Sequence, residues 1–310
     1  MTSTVGVSSK KNLCKACLNG LVEWYDFALY LYMIPVFSIL FFSGDSKVDG
    51  SIYGLLIFAL SYVCRPIGGI VFGWLGDKLG RKYVLITSTY LMLISLLIIG
   101  SLPTSKDLIS LSVYLIIFAR IVQGIAVGGG YVSLYVFLNE SSKPGFKGVT
   151  VSLGGIACGS GMLLAVLTVY SMYAVFSLET IYQWAFRVPF FVGAALSVAA
   201  LVTQKSLLEH ISSLTTNKSI TLLTTFKNVT KSDFRLCSYL FFICGFVTST
   251  FYFTVGYIPN VASIQINALS GIGLGVIIKV GQITTAFLGG WIYDRYSSHN
   301  KSMFIGIVLA

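Results

Sequence analysis

The chain contains 310 residues, of which 55% are hydrophobic and 10% are charged, and its mean hydropathy is +0.84. Soluble globular domains carry about 25% charged residues, so this composition excludes an ordinary soluble domain and predicts an all-α, multi-pass membrane protein. A net charge of +10 would favour a nucleic-acid partner in a soluble protein. Here the positions of the basic residues exclude that interpretation.

The basic residues give the expected orientation of the chain in the bilayer. If the polar breaks are loops between apolar runs, fifteen of the 21 Lys and Arg residues lie on the side of the N-terminus, and only Lys47, Lys106 and Arg187 lie on the other. Cytoplasmic loops are enriched in Lys and Arg, so we expect a cytoplasmic N-terminus in a cell (inner) membrane. The basic charge then reflects topology and attraction to anionic lipid.

Cysteine and histidine usage predicts no metal site. Cys14 and Cys17 have CxxC spacing, but no second pair follows, and the histidines are His210 and His299 alone. A structural zinc needs four ligands. No cofactor and no enzymatic activity are expected either, since the chain shows no nucleophile with its base and no strand-associated glycine loop.

The first apolar run, residues 13–42, contains the acids Glu23 and Asp26. Their spacing of three places both on one helix face. Two carboxylates within a span cost several kcal/mol unless they are neutralised, paired or hydrated. Two interpretations stay open: the acids anchor or cap the helix near its cytoplasmic end, or they handle protons or substrate.

The second run, residues 51–74, contains Arg65 followed by Pro66, which predicts a kinked and closely packed helix. Arg65 is expected either to pair with a carboxylate or to bind substrate. A charged turn then leads at once to the third run, residues 83–101, and glycines permit this short hairpin. Its characteristic residues are Gly73, Asp77, Gly80, Arg81 and Lys82.

The fourth run, which starts after residues 103–108, contains Arg120 and Gln123, followed by glycines up to Gly130. An arginine deep in a span is a functional site by default. The fifth run, residues 149–176, has glycines at spacings typical of a tight helix interface. Trp184 opens the sixth.

The remainder of the chain predicts a second, incomplete half. A polar linker at residues 204–235 separates an N-terminal six-helix bundle, residues 1–203, from residues 236–310. Two apolar runs, residues 236–258 and 268–291, follow it, and a ninth begins at residue 303. We therefore expect about eight complete transmembrane helices and the start of another.

The second half also repeats the hairpin motif weakly. Gly290 and Asp294 follow Gly73 and Asp77 by 217 residues, and Arg295 aligns with Lys78. Such parallel repeats are expected of transporters built from two halves. Lys279, within the eighth run, either snorkels to the membrane surface or lines a cavity.

These motifs resemble those of the major facilitator superfamily. The hairpin GWLGDKLGRK matches its signature loop, and RPIGG at residues 65–69, EWYDF at residues 23–27 and WAFRVPF at residues 184–190 are similar to the metabolite:proton symporter branch. That branch includes proline/betaine, 2-oxoglutarate, citrate and shikimate carriers. The resemblance implies two helix bundles that alternate access, with Arg120 in proton coupling and the hairpin in conformational control.

The chain departs from the family pattern in two ways. The branch usually has Glu after the glycine pair of the fourth span, whereas this chain has Gly130. The family has twelve spans, so the resemblance identifies this sequence as a C-terminally truncated member. It stays open whether the chain forms an oligomer in which other copies supply the missing helices.

The expected function is proton-coupled symport of a small organic solute. A zwitterionic osmoprotectant such as proline or glycine betaine is the first choice, because two acids beside three bases suit a substrate with both charges. In addition, the side chains of Trp24, Tyr25 and Tyr131 offer ring faces to a quaternary ammonium group. The alternatives are a dicarboxylate symporter (2-oxoglutarate or citrate) and a truncated, non-transporting membrane protein. The substrate and proton pathway is expected to include Glu23, Asp26, Arg65, Arg120, Gln123 and Lys279.

Overall fold

A computed structural model describes residues 10–42, 47–208 and 268–296, together with residue 235 and five residue pairs between 238 and 254. Within these ranges the chain is helical and contains no strand. The helices are α1 (Lys10–Leu40), α2 (Lys47–Leu79), α3 (Arg81–Gly100), α4 (Ile109–Glu140), α5 (Lys147–Val175), the short α6 (Leu178–Gln183), α7 (Val188–Leu208) and α8 (Ala268–Tyr296).

Six helices in the described ranges are long and apolar enough to cross a membrane, namely α2, α3, α4, α5, α7 and α8. The predicted all-α membrane bundle is therefore confirmed. Helix α7 continues to Leu208, so the first residues of the predicted linker are helical. Residues 209–234 of that linker, most of the predicted span at 236–258 and the start of the ninth span lie outside the described residues.

Helix α1 is long enough to span, at 31 residues and about 46 Å, but its polar residues make it less apolar than the six. It lies at the centre of the bundle, in contact with α2, α3, α4, α5 and α7. Its buried aromatic side chains form much of the core: the rings of Tyr30 and Phe58 stack 6.0 Å apart, and those of Phe37 and Phe190 stack 5.7 Å apart. A helix surrounded by protein can carry polar groups that a lipid-facing helix cannot.

Glycines allow α2 and α4 to approach closely. A Cβ atom on Gly124 would collide with the backbone of Ser61, and one on Gly128 would collide with the backbone of Arg65. On α2, Gly68 faces the backbone of Ile125 in the same way. Small residues permit such backbone contact between membrane helices, and here the contact lies beside the charged residues of both helices.

This contact yields a prediction for stability. Gly128→Ala is expected to lower the free energy of unfolding by about 1–3 kcal/mol, because the added methyl group forces α2 and α4 apart. The matched control is Gly289→Ala on α8, where nothing lies within 4 Å of the new Cβ and alanine favours the helix. Thermal unfolding of the detergent-solubilised proteins compares them; equal melting temperatures would contradict the close approach of α2 and α4.

Candidate functional site

Five of the six predicted pathway residues meet in one cavity inside the bundle. Helix α1 contributes Glu23 and Asp26, α2 contributes Arg65, and α4 contributes Arg120 and Gln123. Their common location follows from the central position of α1, whose polar face turns toward the contact between α2 and α4. The rest of the lining comprises Phe27, Ser61, Gly124 and Val127.

An ion pair between α1 and α4 forms the centre of this cavity. Arg120 Nη1 lies 3.6 Å from Asp26 Oδ2, and Gln123 Nε2 donates a hydrogen bond of 2.8 Å to Asp26 Oδ1. Arg120 and Asp26 are each only 2% exposed, and Glu23 is 1% exposed. The acids thus lie in the bundle interior, which does not fit the interpretation that they anchor or cap the end of α1. Removing one partner of such a pair typically costs about 3–5 kcal/mol, because a buried charge loses its partner.

Both cavity arginines also cover tyrosine rings. The guanidinium carbon of Arg120 lies 3.6 Å from the ring centroid of Tyr30, and that of Arg65 lies 4.0 Å from the centroid of Tyr62. Cation–π contact holds each guanidinium group in a fixed plane. Three N–H groups of these arginines still lack a hydrogen-bond partner among the described residues, namely Nε and Nη2 of Arg120 and Nε of Arg65. Oε1 of Gln123 also lacks one.

The carboxylate of Glu23 lies against Gly130, the position where the sequence departs from the family pattern. A Cβ atom on Gly130 would collide with Glu23 Oε1 and with Ser88 Oγ. Glycine at position 130 therefore leaves room for the acid from α1. In the sequence, Gly130 indicates only the loss of an acid, and no signal there shows that the space beside it is filled by Glu23.

Lys279 does not line this cavity. Its Nζ lies 3.2 Å from Met162 Sδ on α5 and 3.3 Å from Gln282 Oε1, and the side chain is buried. Of the two alternatives left by the sequence, snorkelling to the membrane surface is contradicted. The side chain lies instead between α8 and α5, separate from the other five residues.

The aromatic residues considered for a quaternary ammonium are packed into the protein. Tyr25 is fully buried, and its hydroxyl donates to the Pro189 carbonyl oxygen at 2.7 Å. The rings of Trp24 and Tyr131 lie 5.8 Å apart, and Tyr131 contacts Tyr135 at 4.9 Å. None of the three belongs to the lining of the cavity that holds the charges.

The first hairpin motif closes the turn between α2 and α3. Gly80 separates the two helices with φ of 95°, a conformation that favours glycine. Arg81 Nη2 lies 2.6 Å from Asp77 Oδ1 in a pair four residues apart. The motif's other members, Gly73 and Lys82, lie within the last turns of α2 and the first turn of α3. The pair is partly exposed and local, so its contribution to stability is about 0–1 kcal/mol.

The second copy of the motif makes a different contact, from α8 to the start of α5. Asp294 Oδ1 accepts from the backbone N–H of Gly148 at 2.7 Å, and Oδ2 accepts from that of Val149 at 2.8 Å. These amides lie in the first turn of α5, where no intrahelical acceptor exists, and the N-cap residue Phe146 provides no side-chain acceptor. The carboxylate also opposes the positive end of the helix dipole.

The backbones meet next to this cap. A Cβ atom on Gly290 would collide with the Gly148 carbonyl, and a Cβ atom on Gly148 would collide with the Gly290 carbonyl. Arg295 points its guanidinium toward the Trp291 ring, 5.8 Å from its centroid. The alignment of the two motifs identified Asp294 as an equivalent of Asp77, but it carried no information that the acid binds the start of α5.

Hydrogen exchange tests the contact of Asp294 with α5. Asp294→Asn is expected to speed exchange of the Gly148 and Val149 amides about tenfold or more, because a neutral amide oxygen accepts more weakly and only one is present. Exchange is measured by mass spectrometry on a peptide that covers the start of α5. Asp77→Asn, which alters the equivalent acid of the first hairpin, should leave this peptide unchanged; a similar acceleration in both variants would contradict the assignment.

Comparison with known proteins agrees with this architecture. The family model for Sugar (and other) transporters matches residues 13–206. Among curated proteins, the chain is 27% identical to a proline/betaine transporter of Salmonella typhimurium over 93% of this chain and 60% of that protein. It is 32% identical to an alpha-ketoglutarate permease of Escherichia coli over 62% of this chain and 44% of that protein.

A third relative is the glycine betaine/proline/ectoine/pipecolic acid transporter OusA of Dickeya dadantii, 27% identical over 93% of this chain and 60% of the relative. The chain thus spans about 60% of the length of the proline/betaine transporter and of OusA. Among solved structures, the proton:xylose symporter XylE of the major facilitator superfamily superposes with a TM-score of 0.70, 19% sequence identity, and coverage of 92% of this chain and 69% of that chain.

The family model matches more than half of the sequence, from residue 13 to residue 206, and the chain therefore belongs to the sugar (and other) transporter family.

Proposed function

We propose that the protein is a secondary active transporter that moves a small organic zwitterion together with protons. The observation that carries this proposal is the buried ion pair of Asp26 and Arg120 in a cavity between membrane helices. Ionisable groups in such a position are costly, and function is the usual reason for their presence.

The geometry supports a simple coupling scheme. When Asp26 is ionised, its carboxylate pairs with the Arg120 guanidinium and accepts a hydrogen bond from the Gln123 amide. A proton that binds to this carboxylate neutralises it, so Arg120 loses its charged partner and its guanidinium becomes available to a substrate carboxylate. Proton binding and substrate binding then favour the same state of the cavity, which is the condition for coupled movement.

Charge complementarity favours a zwitterion. The cavity contains two acids, Glu23 and Asp26, and two arginines, Arg65 and Arg120. When Asp26 is protonated, the arginines can meet a substrate carboxylate and Glu23 can meet a substrate cation. A dicarboxylate would instead place a second negative charge in a buried site that still contains Glu23. Two of the relatives described above are also named for proline and betaine.

A dicarboxylate is the second candidate. The unpartnered N–H groups of Arg65 and Arg120 suit carboxylates, and one relative is named an alpha-ketoglutarate permease. In this case both substrate charges would have to be met by arginines and by protons on the acids.

The contact between Asp294 and α5 supports a conformational role for the second hairpin. Alternating access requires the helices of the two halves, predicted as residues 1–203 and 236–310, to separate on one side of the membrane. A cap that joins α8 to the start of α5 has to open when this side opens. With the predicted cytoplasmic N-terminus, it lies on the cytoplasmic side of a cell membrane.

Vesicle transport tests the proposal. Purified protein in liposomes is given an inward proton gradient with labelled proline, glycine betaine or 2-oxoglutarate. We expect gradient-driven accumulation of a zwitterion, and a loss of about tenfold or more in Arg120→Ala, because Asp26 is left buried without its partner. Asp107→Asn, a substitution in an exposed turn, serves as the control.

Asp26→Asn separates coupling from binding. The asparagine mimics the neutral acid, so the variant should lose accumulation driven by the gradient but retain exchange of labelled against unlabelled solute. Accumulation that persists in Asp26→Asn would contradict the coupling scheme. Preference for 2-oxoglutarate would favour the second candidate, and inserted protein without uptake of any of the three solutes would show a non-transporting chain.

A further inference from the structure

The carboxylate of Glu23 is a buried acceptor whose neighbours donate elsewhere. Neither Oε1 nor Oε2 has a hydrogen-bond partner in the part of the chain that the structure describes. Asn19, one helical turn away, donates from Nδ2 to Ser88 Oγ at 2.8 Å and to Thr89 Oγ1 at 3.1 Å. Ser88 donates its own hydroxyl proton to the Leu85 carbonyl oxygen at 3.0 Å. Glu23 also lines the cavity, so its carboxylate is a buried acceptor at the edge of that cavity.

The arginines that line the same cavity offer donors. Arg120 retains N–H groups at Nε and Nη2 without acceptors among the described residues, and Arg65 retains one at Nε. These groups suit a substrate carboxylate, since guanidinium N–H groups form strong charge-assisted hydrogen bonds. When the cavity opens to admit a substrate whose carboxylate binds the arginines, Glu23 is the acid left to meet the positive nitrogen, because Asp26 is either paired with Arg120 or protonated.

The aromatic rings near the cavity do not replace the hydrogen bonds that a fully alkylated substrate nitrogen is unable to donate. A quaternary ammonium is bound chiefly by ring faces, but faces of Tyr30 and Tyr62 are already covered by Arg120 and Arg65. Phe27 lines the cavity, yet its ring contacts those of Trp24, Phe58 and Tyr62 at 5.1, 5.2 and 6.3 Å. Phenylalanine is also not the strongest of the cation-binding rings.

We propose that this cavity selects zwitterions whose cationic nitrogen carries N–H groups, which Glu23 accepts, over zwitterions whose nitrogen is fully alkylated. The inference rests on the proposed transport function and specifies its substrate class. A primary or secondary ammonium satisfies the oxygens of Glu23, whereas a quaternary one leaves a buried carboxylate with no hydrogen-bond donor. A missing donor to a buried charged acceptor lowers affinity by about tenfold or more.

A methylation series on one scaffold tests this selection in the unaltered protein. L-Proline carries two N–H groups, N-methyl-L-proline carries one and N,N-dimethyl-L-proline carries none. In proteoliposomes with a proton gradient, we expect KM to rise about tenfold or more from the first to the last. L-Pipecolate, an isomer of N-methyl-L-proline that keeps both N–H groups, controls for the bulk of the added carbon and should remain within a few-fold of proline.

Glu23→Gln tests whether Glu23 causes the selection. The amide removes the charge at nearly constant volume and leaves one weaker acceptor oxygen, so discrimination between L-proline and N,N-dimethyl-L-proline should fall severalfold. Glu140→Gln, at the exposed end of α4, should retain the discrimination of the unaltered protein. Gly130→Ala provides a second variant, since its Cβ displaces the Glu23 carboxylate and should weaken discrimination as well.

The outcomes separate this inference from the proposed function. Transport of N,N-dimethyl-L-proline or glycine betaine as good as that of proline would overturn the selection for N–H groups while leaving zwitterion transport intact. Discrimination that survives both Glu23→Gln and Gly130→Ala would overturn the role of Glu23. Uptake of 2-oxoglutarate alone, or of no solute, would overturn the proposed substrate class together with this inference.

Discussion

The ion pair between Asp26 and Arg120 sets the arrangement of the bundle interior. Each of these side chains is almost completely buried, and a charge in an apolar interior is tolerated only beside a partner. The pair therefore requires that α1 and α4 face each other at this level. Gln123 donates to Asp26 and the Tyr30 ring contacts Arg120, so each member of the pair has a second partner. Nε and Nη2 of Arg120 lack a hydrogen-bond partner among the described residues.

The glycines of α2 and α4 make this arrangement possible. Gly124 and Gly128 follow Arg120 by one and two helical turns and lie against the α2 backbone. The close contact brings Arg65 to the same cavity as Arg120, although the two arginines belong to different helices. At Gly130 the missing side chain has a different effect, because it admits the carboxylate of Glu23 from α1. Small residues on one helix thus determine which charges from the others can meet.

The two hairpin motifs illustrate how related sequences take different contacts. In the first, Asp77 pairs with Arg81 inside the turn. In the second, Asp294 extends to α5 and accepts from two backbone amides, next to a glycine pair that brings the two backbones together. Local sequence explains the first contact, since the partners lie four residues apart. The second joins segments about 146 residues apart and depends on how α8 packs on α5.

Sequence alone determined the membrane class, the helical bundle and the family, because long apolar runs mark the helices that can span a membrane. It also singled out polar residues within those runs, which are costly to place in a bilayer; five of them line one cavity, and their role in transport stays a prediction. It also predicted the short hairpin between the second and third apolar runs. It did not determine that Lys279 lies apart from that cavity, that Tyr25 is enclosed by the core, or that Gly130 makes room for Glu23. Those features were decided by tertiary structure, since they depend on which faces of separate helices come into contact, and a helix sequence specifies its faces but not its neighbours.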